Sequence, residues 1–332
     1  MNRKGILAGQ AHPFPASIMQ TRPSRLVLPV ALGIAIVAVS TASILIRLAQ
    51  QHAPSITIAA LRLGFATLFL APIALARHRT ELRALRPREL LLAAASGVFL
   101  AVHFATWISS LEYTTVASSV VLVSTGPLWV ALLSPFFLGE KLGRAAMVGL
   151  ALAVAGGIII AVGEACTWEG SLHCTALGTT LQGSSLWGNF LALAGAWAVS
   201  GYLLLGRHLR ATLSLVPYIF LVYGCASIGL LAAAVISHGL VLSLPPVAYG
   251  WIVLLALVPQ LLGHSTYNWA LRYLPAAFVA VTTLGEPVGS AILAYFILDE
   301  KPGSFVLSGA LLIMAGIYLA ARGAGHTQAA DS

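Results

Sequence analysis

Charge is what this sequence has least of. Only 8% of its 332 residues are Asp, Glu, Lys or Arg, and 59% are hydrophobic, whereas an ordinary globular chain carries about a quarter charged residues. At a mean hydropathy of +0.92, a soluble fold could not hide that much apolar surface. Polar stretches long enough for a separate soluble module are missing as well. Length alone would suggest about two domains, but the chain reads as one membrane domain. The first 25 residues contain Arg3, Lys4, Arg22 and Arg25 but no continuous apolar run, so no cleaved signal peptide is expected. Also lacking are a Gly-rich phosphate loop with its lysine, a histidine pair at zinc-ligand spacing and a Gly-x-Ser-x-Gly nucleophile turn. Enzyme chemistry, a metal site and a cofactor therefore have no basis in the sequence.

Acidic residues are few even among the charges: ten Asp and Glu face eighteen Lys and Arg, a formal charge of +8. Such a balance raises the question of nucleic acid. The cations, however, cluster in short segments between apolar runs, where they set topology instead of forming a phosphate-binding face. No nucleic-acid partner is expected; the lipid bilayer is.

Long apolar runs are what the sequence has in abundance. Crossing ~30 Å of hydrocarbon takes ~20 apolar residues in a helix, which satisfies its own backbone there. Ten runs qualify, near 26–48, 56–76, 89–110, 115–137, 145–163, 185–205, 213–236, 248–271, 276–298 and 304–321. With the N-terminus inside, the inner side receives the four tail cations and Arg77, Arg79, Arg83, Arg86, Arg88, Lys141, Arg144, Arg207, Arg210, Arg272 and Arg322, fifteen in all. The outer connections keep Lys301, while Arg47 and Arg62 lie inside the outer ends of the first two spans. Both termini are expected in the cytoplasm of a multi-pass protein of the inner (plasma) membrane. The longest outer loop, 164–184, holds Cys166 and Cys174 on an oxidising side, where either a disulfide or two unpaired thiols fit. Cys225 lies within a span and reads as a small packing residue.

A constant offset of 160 residues aligns the two halves without a gap. It pairs Leu111 and Tyr113 with Leu271 and Tyr273, Pro127 with Pro287, Phe136 and Leu138 with Phe296 and Leu298, and Glu140, Lys141 and Gly143 with Glu300, Lys301 and Gly303. Arg47 pairs with Arg207, Gly64 with Gly224, Gly149 with Gly309 and Gly156 with Gly316. Each half has an odd number of spans, so its copy enters the membrane from the opposite face. The expected fold is therefore an all-α membrane protein of ten transmembrane helices in two inverted five-helix repeats, an arrangement that places a substrate site near the midplane between repeats. Residues 1–25 form a basic cytoplasmic tail, 26–163 the first repeat, 164–184 the outer loop, 185–322 the second repeat and 323–332 a cytoplasmic tail.

The wording of the repeat resembles the EamA-type carriers of the drug/metabolite transporter superfamily, over about residues 26–322. The residues that carry this resemblance are Leu111-Glu112-Tyr113-Thr114-Thr115-Val116-Ala117, Pro127 with Gly139-Glu140-Lys141-Leu142-Gly143 and Gly149, and Gly285-Glu286-Pro287-Val288 with Asp299-Glu300-Lys301. The resemblance implies efflux or exchange of small metabolites, amino acids most often, without a bound cofactor.

An ionisable side chain deep in a bilayer costs about 2.5–3.5 kcal/mol on insertion scales, which makes each one a functional candidate. Glu286 sits in the middle of the ninth span, followed by Pro287, whose missing N–H leaves the carbonyl of Thr283 unpaired. A proton or a cationic substrate group could bind there; the plain structural reading is a protonated acid sealing a helix contact. Pro127 is the counterpart of Pro287, with Gly126 in place of Glu286, so a kink is shared and the charge is not. His103 and Trp107 share one helix face. Gln260, His264 and Asn268 form a second row, flanked by Tyr267, the counterpart of Trp107.

The expected substrate-binding set is thus His103, Trp107, Gln260, His264, Tyr267, Asn268 and Arg62. Glu286 and His264 are the expected proton-coupling residues, and Pro127 and Pro287 the gating hinges. Arg62 has two readings, snorkelling to the headgroups or pointing inward, and Arg47 reads as a snorkelling anchor. Glu140-Lys141 reads as a solvated ion pair or helix-start charge. The glycines at 149, 156, 309 and 316 form small-residue seams for packing or for a homodimer. A secondary transporter working by alternating access is the expected function; a non-transporting scaffold or sensor and an intramembrane enzyme are the alternatives.

Overall fold

A computed structural model describes residues 23–24, 26–114, 119, 122–140, 143–168, 172–174, 184–298 and 304–330. Helices dominate it. Helix α1 (Val27–Ser40) and α2 (Ala42–Gln50) follow one another with a break at Thr41, whose hydroxyl donates to the Ala38 carbonyl at 2.7 Å. Then come α3 (Ser55–Arg77), the short α4 (Arg79–Arg83), α5 (Pro87–Tyr113), α6 (Gly126–Phe137) and α7 (Arg144–Ala165). A two-stranded antiparallel hairpin, β1 (Cys166–Trp168) and β2 (Leu172–Cys174), leads to α8 (Ser184–Arg210) and α9 (Leu215–Ile236). Helix α10 (Pro246–Leu255) runs into a π-helix (Ala256–His264) and on into α11 (Ser265–Ala270); α12 (Ala276–Thr283), α13 (Gly285–Leu298) and α14 (Ser304–Ala330) complete the chain.

Local chemistry fixes several ends. Pro87 and Pro246 occupy first-turn positions of α5 and α10, where a missing N–H leaves no bond unmade. The Glu89 carboxylate accepts the N–H of Arg86 at 2.9 Å and closes the start of α5. Helix α6 stops at Gly139, whose φ of +69° is open to glycine without strain.

Among the described residues six helical stretches are long and apolar enough to cross a membrane: 27–50, α3, α5, 186–210, α9 and 246–270. The apolar segments 126–137, 144–156 and 307–320 are shorter. The surface is apolar, with Phe136 80%, Ile236 78% and Leu311 74% exposed, while Arg62, Gln260 and Asn268 are fully buried. That inversion of the water-soluble pattern suits a lipid surround.

Inside, α3 packs along α9, α5 along α8, α7 along α14, and α1 against the π-helix and α13. Backbones come close where side chains are small. A Cβ on Gly97 would lie 2.7 Å from that of Cys225, which makes this cysteine the packing partner of α5 on α9. A Cβ on Gly149 would meet the backbone and Cβ of Ala320 at 2.8 and 3.1 Å, and one on Gly156 the Gly309 carbonyl at 2.5 Å. The glycine seam is therefore used within the chain, between α7 and α14. In the hairpin Cys166 is the direct cross-strand partner of Cys174.

The ninth apolar run is two helices, α12 and α13, separated at Leu284. Pro287 thus belongs to the first turn of α13, and Pro127 to the first turn of α6. Neither proline kinks a continuing helix, because at a helix start its missing N–H is one of the unpaired donors in any case.

Candidate functional site

A cavity opens between α5, α8, the π-helix with α11, and the starts of α6 and α13. It encloses about 690 Å³ of atom-free space, its open mouth included. His103, Trp107, Tyr202, His264, Tyr267, Thr283 and Glu286 line it, together with Gly126 and Pro127.

On α5, the rings of His103 and Trp107 stack at 5.8 Å with an interplanar angle of 17°. His103 Nδ1 lies 2.9 Å from the Gly195 carbonyl on α8, so the imidazole is held by its neighbour helix. On the facing side, His264 and Tyr267 meet edge to face at 6.5 Å. Phe104 lies behind this pair of walls, 4.8 Å from His103 and 5.4 Å from His264.

Arg62 does not snorkel. It is fully buried, its guanidinium stands 4.2 Å from the Phe104 ring centroid, and its Nε donates to Gln260 Oε1 at 3.0 Å. Nη1 and Nη2 have no hydrogen-bond partner among the described residues. Arg62 therefore stands behind the aromatic wall and not on the cavity surface. Arg47, in contrast, is exposed at the end of α2.

Of the row Gln260, His264, Asn268, His264 lines the cavity, whereas Gln260 and Asn268 make hydrogen bonds behind it. Pro259 falls inside the π-helix; in an α-helix its ring would clash with the carbonyl four residues earlier, and widening the turn relieves that clash. His264 faces the cavity, and Gln260 accepts from Arg62. Asn268 Nδ2 donates to the hydroxyls of Tyr202 (2.5 Å) and Tyr223 (3.2 Å). Tyr223 shares a 3.2 Å hydrogen bond with Ser265, whose hydroxyl donates to the Gln260 carbonyl at 3.3 Å. Buried polar groups thus run from Tyr202 on the cavity wall to Arg62 behind it. Tyr202 and Tyr223 carry this network and the sequence reading passed over them; the signal available was two tyrosines in apolar spans facing a buried asparagine.

Glu286 reaches the cavity from the first turn of α13, where the helix dipole favours a carboxylate. Its backbone carbonyl accepts from Ser40 on α1 at 3.3 Å, and Ser290 donates to the Ser40 carbonyl at 3.0 Å, so α13 is fastened to α1 beside the site. Glu140 pairs with Arg207 at 2.6 Å; Lys141 and Glu300 lie outside the described residues.

Fold and site together define a multi-pass membrane protein with an internal cavity lined by aromatic and ionisable side chains. The profile of the EamA-like transporter family matches residues 28–162 and again residues 186–322, and the chain belongs to that family of transporters. Among similar proteins are the uncharacterized transporter YetK of Bacillus subtilis (strain 168), 27% identical over 69% of this chain and 66% of its own length, and a probable terminal-alkyne amino-acid exporter of Streptantibioticus cattleyicolor, 26% identical over 77% of this chain and 82% of its own. A solved structure titled "Crystal structure of protein" shares the fold with a TM-score of 0.70 at 18% identity, covering 90% of this chain and 98% of that one.

Proposed function

We propose that the protein is a secondary transporter that exports or exchanges small metabolites, amino acids or related compounds, by alternating access between two inverted five-helix repeats. The observation that carries this reading is the cavity, whose two aromatic walls come from helices paired by the 160-residue offset, with Trp107 opposite Tyr267 in the alignment. A site on the axis between repeats is where rocking of one repeat against the other exposes a bound molecule first to one side and then to the other. The glycine contacts support the inverted arrangement: Gly149 packs on the helix turn of Gly316, and Gly156 on Gly309, so each glycine meets the counterpart of the other. A two-fold axis in the membrane requires that exchange of partners. The amino-acid exporter among the similar proteins supports the substrate class.

In this mechanism Glu286 takes up and releases the coupling proton, with His264 or His103 as relay; uncoupled, facilitated movement is the variant without that step. The starts of α6 and α13, marked by Pro127 and Pro287, are the places where helix direction changes as the repeats rock. Both termini are cytoplasmic and the membrane is the inner (plasma) membrane, as the distribution of Lys and Arg supports. The glycine seam is taken up between α7 and α14, so a homodimer would use another face.

The test is efflux from proteoliposomes loaded with labelled amino acids and related amines, comparing wild type with Glu286→Gln. Export of one compound class that the variant loses, with its folding intact, is the expected result. A pH response unchanged in Glu286→Gln removes Glu286 from coupling. Absence of protein-dependent efflux of every compound sinks the transport reading in favour of a scaffold or sensor, and turnover in detergent without a sealed membrane would favour an enzyme.

A further inference from the structure

Two residues of the cavity wall carry a buried polar atom that has no partner among the described residues. Trp107 and Tyr267 are 4% and 3% exposed, both line the cavity, and neither Trp107 Nε1 nor the Tyr267 hydroxyl has a hydrogen-bond partner among the described residues. A buried donor with no acceptor is a standing penalty, which a ligand bearing acceptor atoms removes. The two residues are counterparts under the 160-residue offset and stand at equivalent positions on α5 and α11.

The charges around them are not symmetric. One aromatic layer behind the wall, Arg62 holds a fully buried guanidinium against Phe104, and neither Nη has a hydrogen-bond partner among the described residues. In a poorly polarisable interior such a charge is weakly screened and draws an anionic group toward Phe104 and the two histidines that touch it. Glu286 supplies the opposite charge on the cavity itself, and its counterpart in the first half is Gly126, which also lines the cavity.

We propose that Trp107 and Tyr267 form a carboxylate subsite, each donating one hydrogen bond to one oxygen of the substrate carboxylate, with an ammonium group of the same substrate directed toward Glu286. This rests on the transporter reading and adds the ligand's chemistry: a zwitterion whose charges oppose those of Arg62 and Glu286 and leave the site neutral. The two carboxylate oxygens are equivalent, as are the two helices under the repeat. Passing from one repeat to the other therefore needs no reorientation of the carboxylate.

The test is calorimetric binding to the purified full-length protein in detergent of three compounds: L-leucine, 4-methylpentanoate, which is leucine without its amino group, and 3-methylbutylamine, which is leucine without its carboxylate. Trp107→Phe and Tyr267→Phe each keep an aromatic ring and remove one polar atom. Each should weaken L-leucine and 4-methylpentanoate about tenfold, the loss expected for one charge-assisted hydrogen bond, and leave 3-methylbutylamine unchanged. Glu286→Gln should give the converse pattern, weakening L-leucine and the amine and sparing 4-methylpentanoate. Equal weakening of all three compounds by the aromatic variants, no weakening by either, or a wild type that ignores both carboxylates overturns the subsite. Binding is read without a membrane gradient, so this pattern in a protein that transports nothing would sink the transport reading and leave the subsite standing.

Discussion

Arg207 and Glu140 meet at 2.6 Å, and each side chain reaches further: Arg207 Nη1 donates to the carbonyls of Leu271 at 2.7 Å and Arg272 at 3.1 Å, while Glu140 Oε2 accepts the N–H of Ala276 at 3.1 Å. One ion pair thus ties the end of α6, the end of α8 and the turn between α11 and α12. The side chains are 24% and 22% exposed, so water screens the pair only in part. Arg207→Ala and Glu140→Ala should each destabilise the protein by about 1–3 kcal/mol. Because the residues act as a unit, the double variant should lose clearly less than the sum of the two. Exchanging the residues should recover little, because a glutamate at 207 cannot donate to the two carbonyls. Thermal unfolding in detergent reads all four proteins; strictly additive losses would mean that the pair does not act as a tie.

The seam between α7 and α14 makes a sharper prediction. Gly156→Ala sets a Cβ 2.5 Å from the Gly309 carbonyl and 3.0 Å from the Ile313 amide, both backbone atoms that cannot swing away. The helices must part, at about 1–3 kcal/mol. Gly33→Ala is the control, since a Cβ there meets nothing within 4 Å, and in mid-helix it should be neutral or stabilising by up to about 1 kcal/mol. Equal unfolding temperatures for the two variants would contradict the close packing.

This seam was legible in the sequence because glycines seven apart stack along a helix whatever the partner is. Long-range choices were not legible in the same way. Two readings of Arg62 stayed open because the acceptor that draws it inward, Gln260, is 198 residues away. The expected face of Gln260, His264 and Asn268 assumed an α-helical period. Pro259 signals a disturbance there, but the same segment also packs tightly on α1 at Gly263, where a Cβ would lie 2.6 Å from Val39. Aromatic residues at Trp107 and Tyr267 were found because the repeat singles them out. Tyr202, which faces the same cavity, has Ala42 as its counterpart and gave no such signal.

The hairpin between α7 and α8 offers a chemical readout of topology. Its register sets Cys166 directly across from Cys174, and directly opposed strand positions have Cα separations of about 4.5–5.5 Å, within the range a disulfide spans. On an oxidising side of the membrane the two should form a disulfide. Alkylation of the unfolded, unreduced protein should then label Cys225 alone, and labelling of all three after reduction completes the measurement. Three labelled cysteines before reduction, in protein isolated from its native membrane without reductant, would argue against the bridge and weaken the assignment of that loop to the outer side.

The bond between Arg62 and Gln260 separates what a buried charge needs from what it contributes. Arg62 Nε donates to Gln260 Oε1 at 3.0 Å in a region with no exposure. Gln260→Leu removes that acceptor and leaves the guanidinium resting on the Phe104 ring, a loss of about 2–4 kcal/mol for a buried charge deprived of its partner. Arg62→Met removes the charge as well as the bond. The double variant Arg62→Met with Gln260→Leu places two apolar side chains of similar bulk against each other, and replacing both members of a buried polar pair is often close to neutral. It should therefore unfold at a higher temperature than Gln260→Leu alone. Transport should not recover with it, because the positive charge behind the cavity is gone. Stability that returns without efflux assigns the charge of Arg62 to function; if efflux returns as well, the pair is only packing.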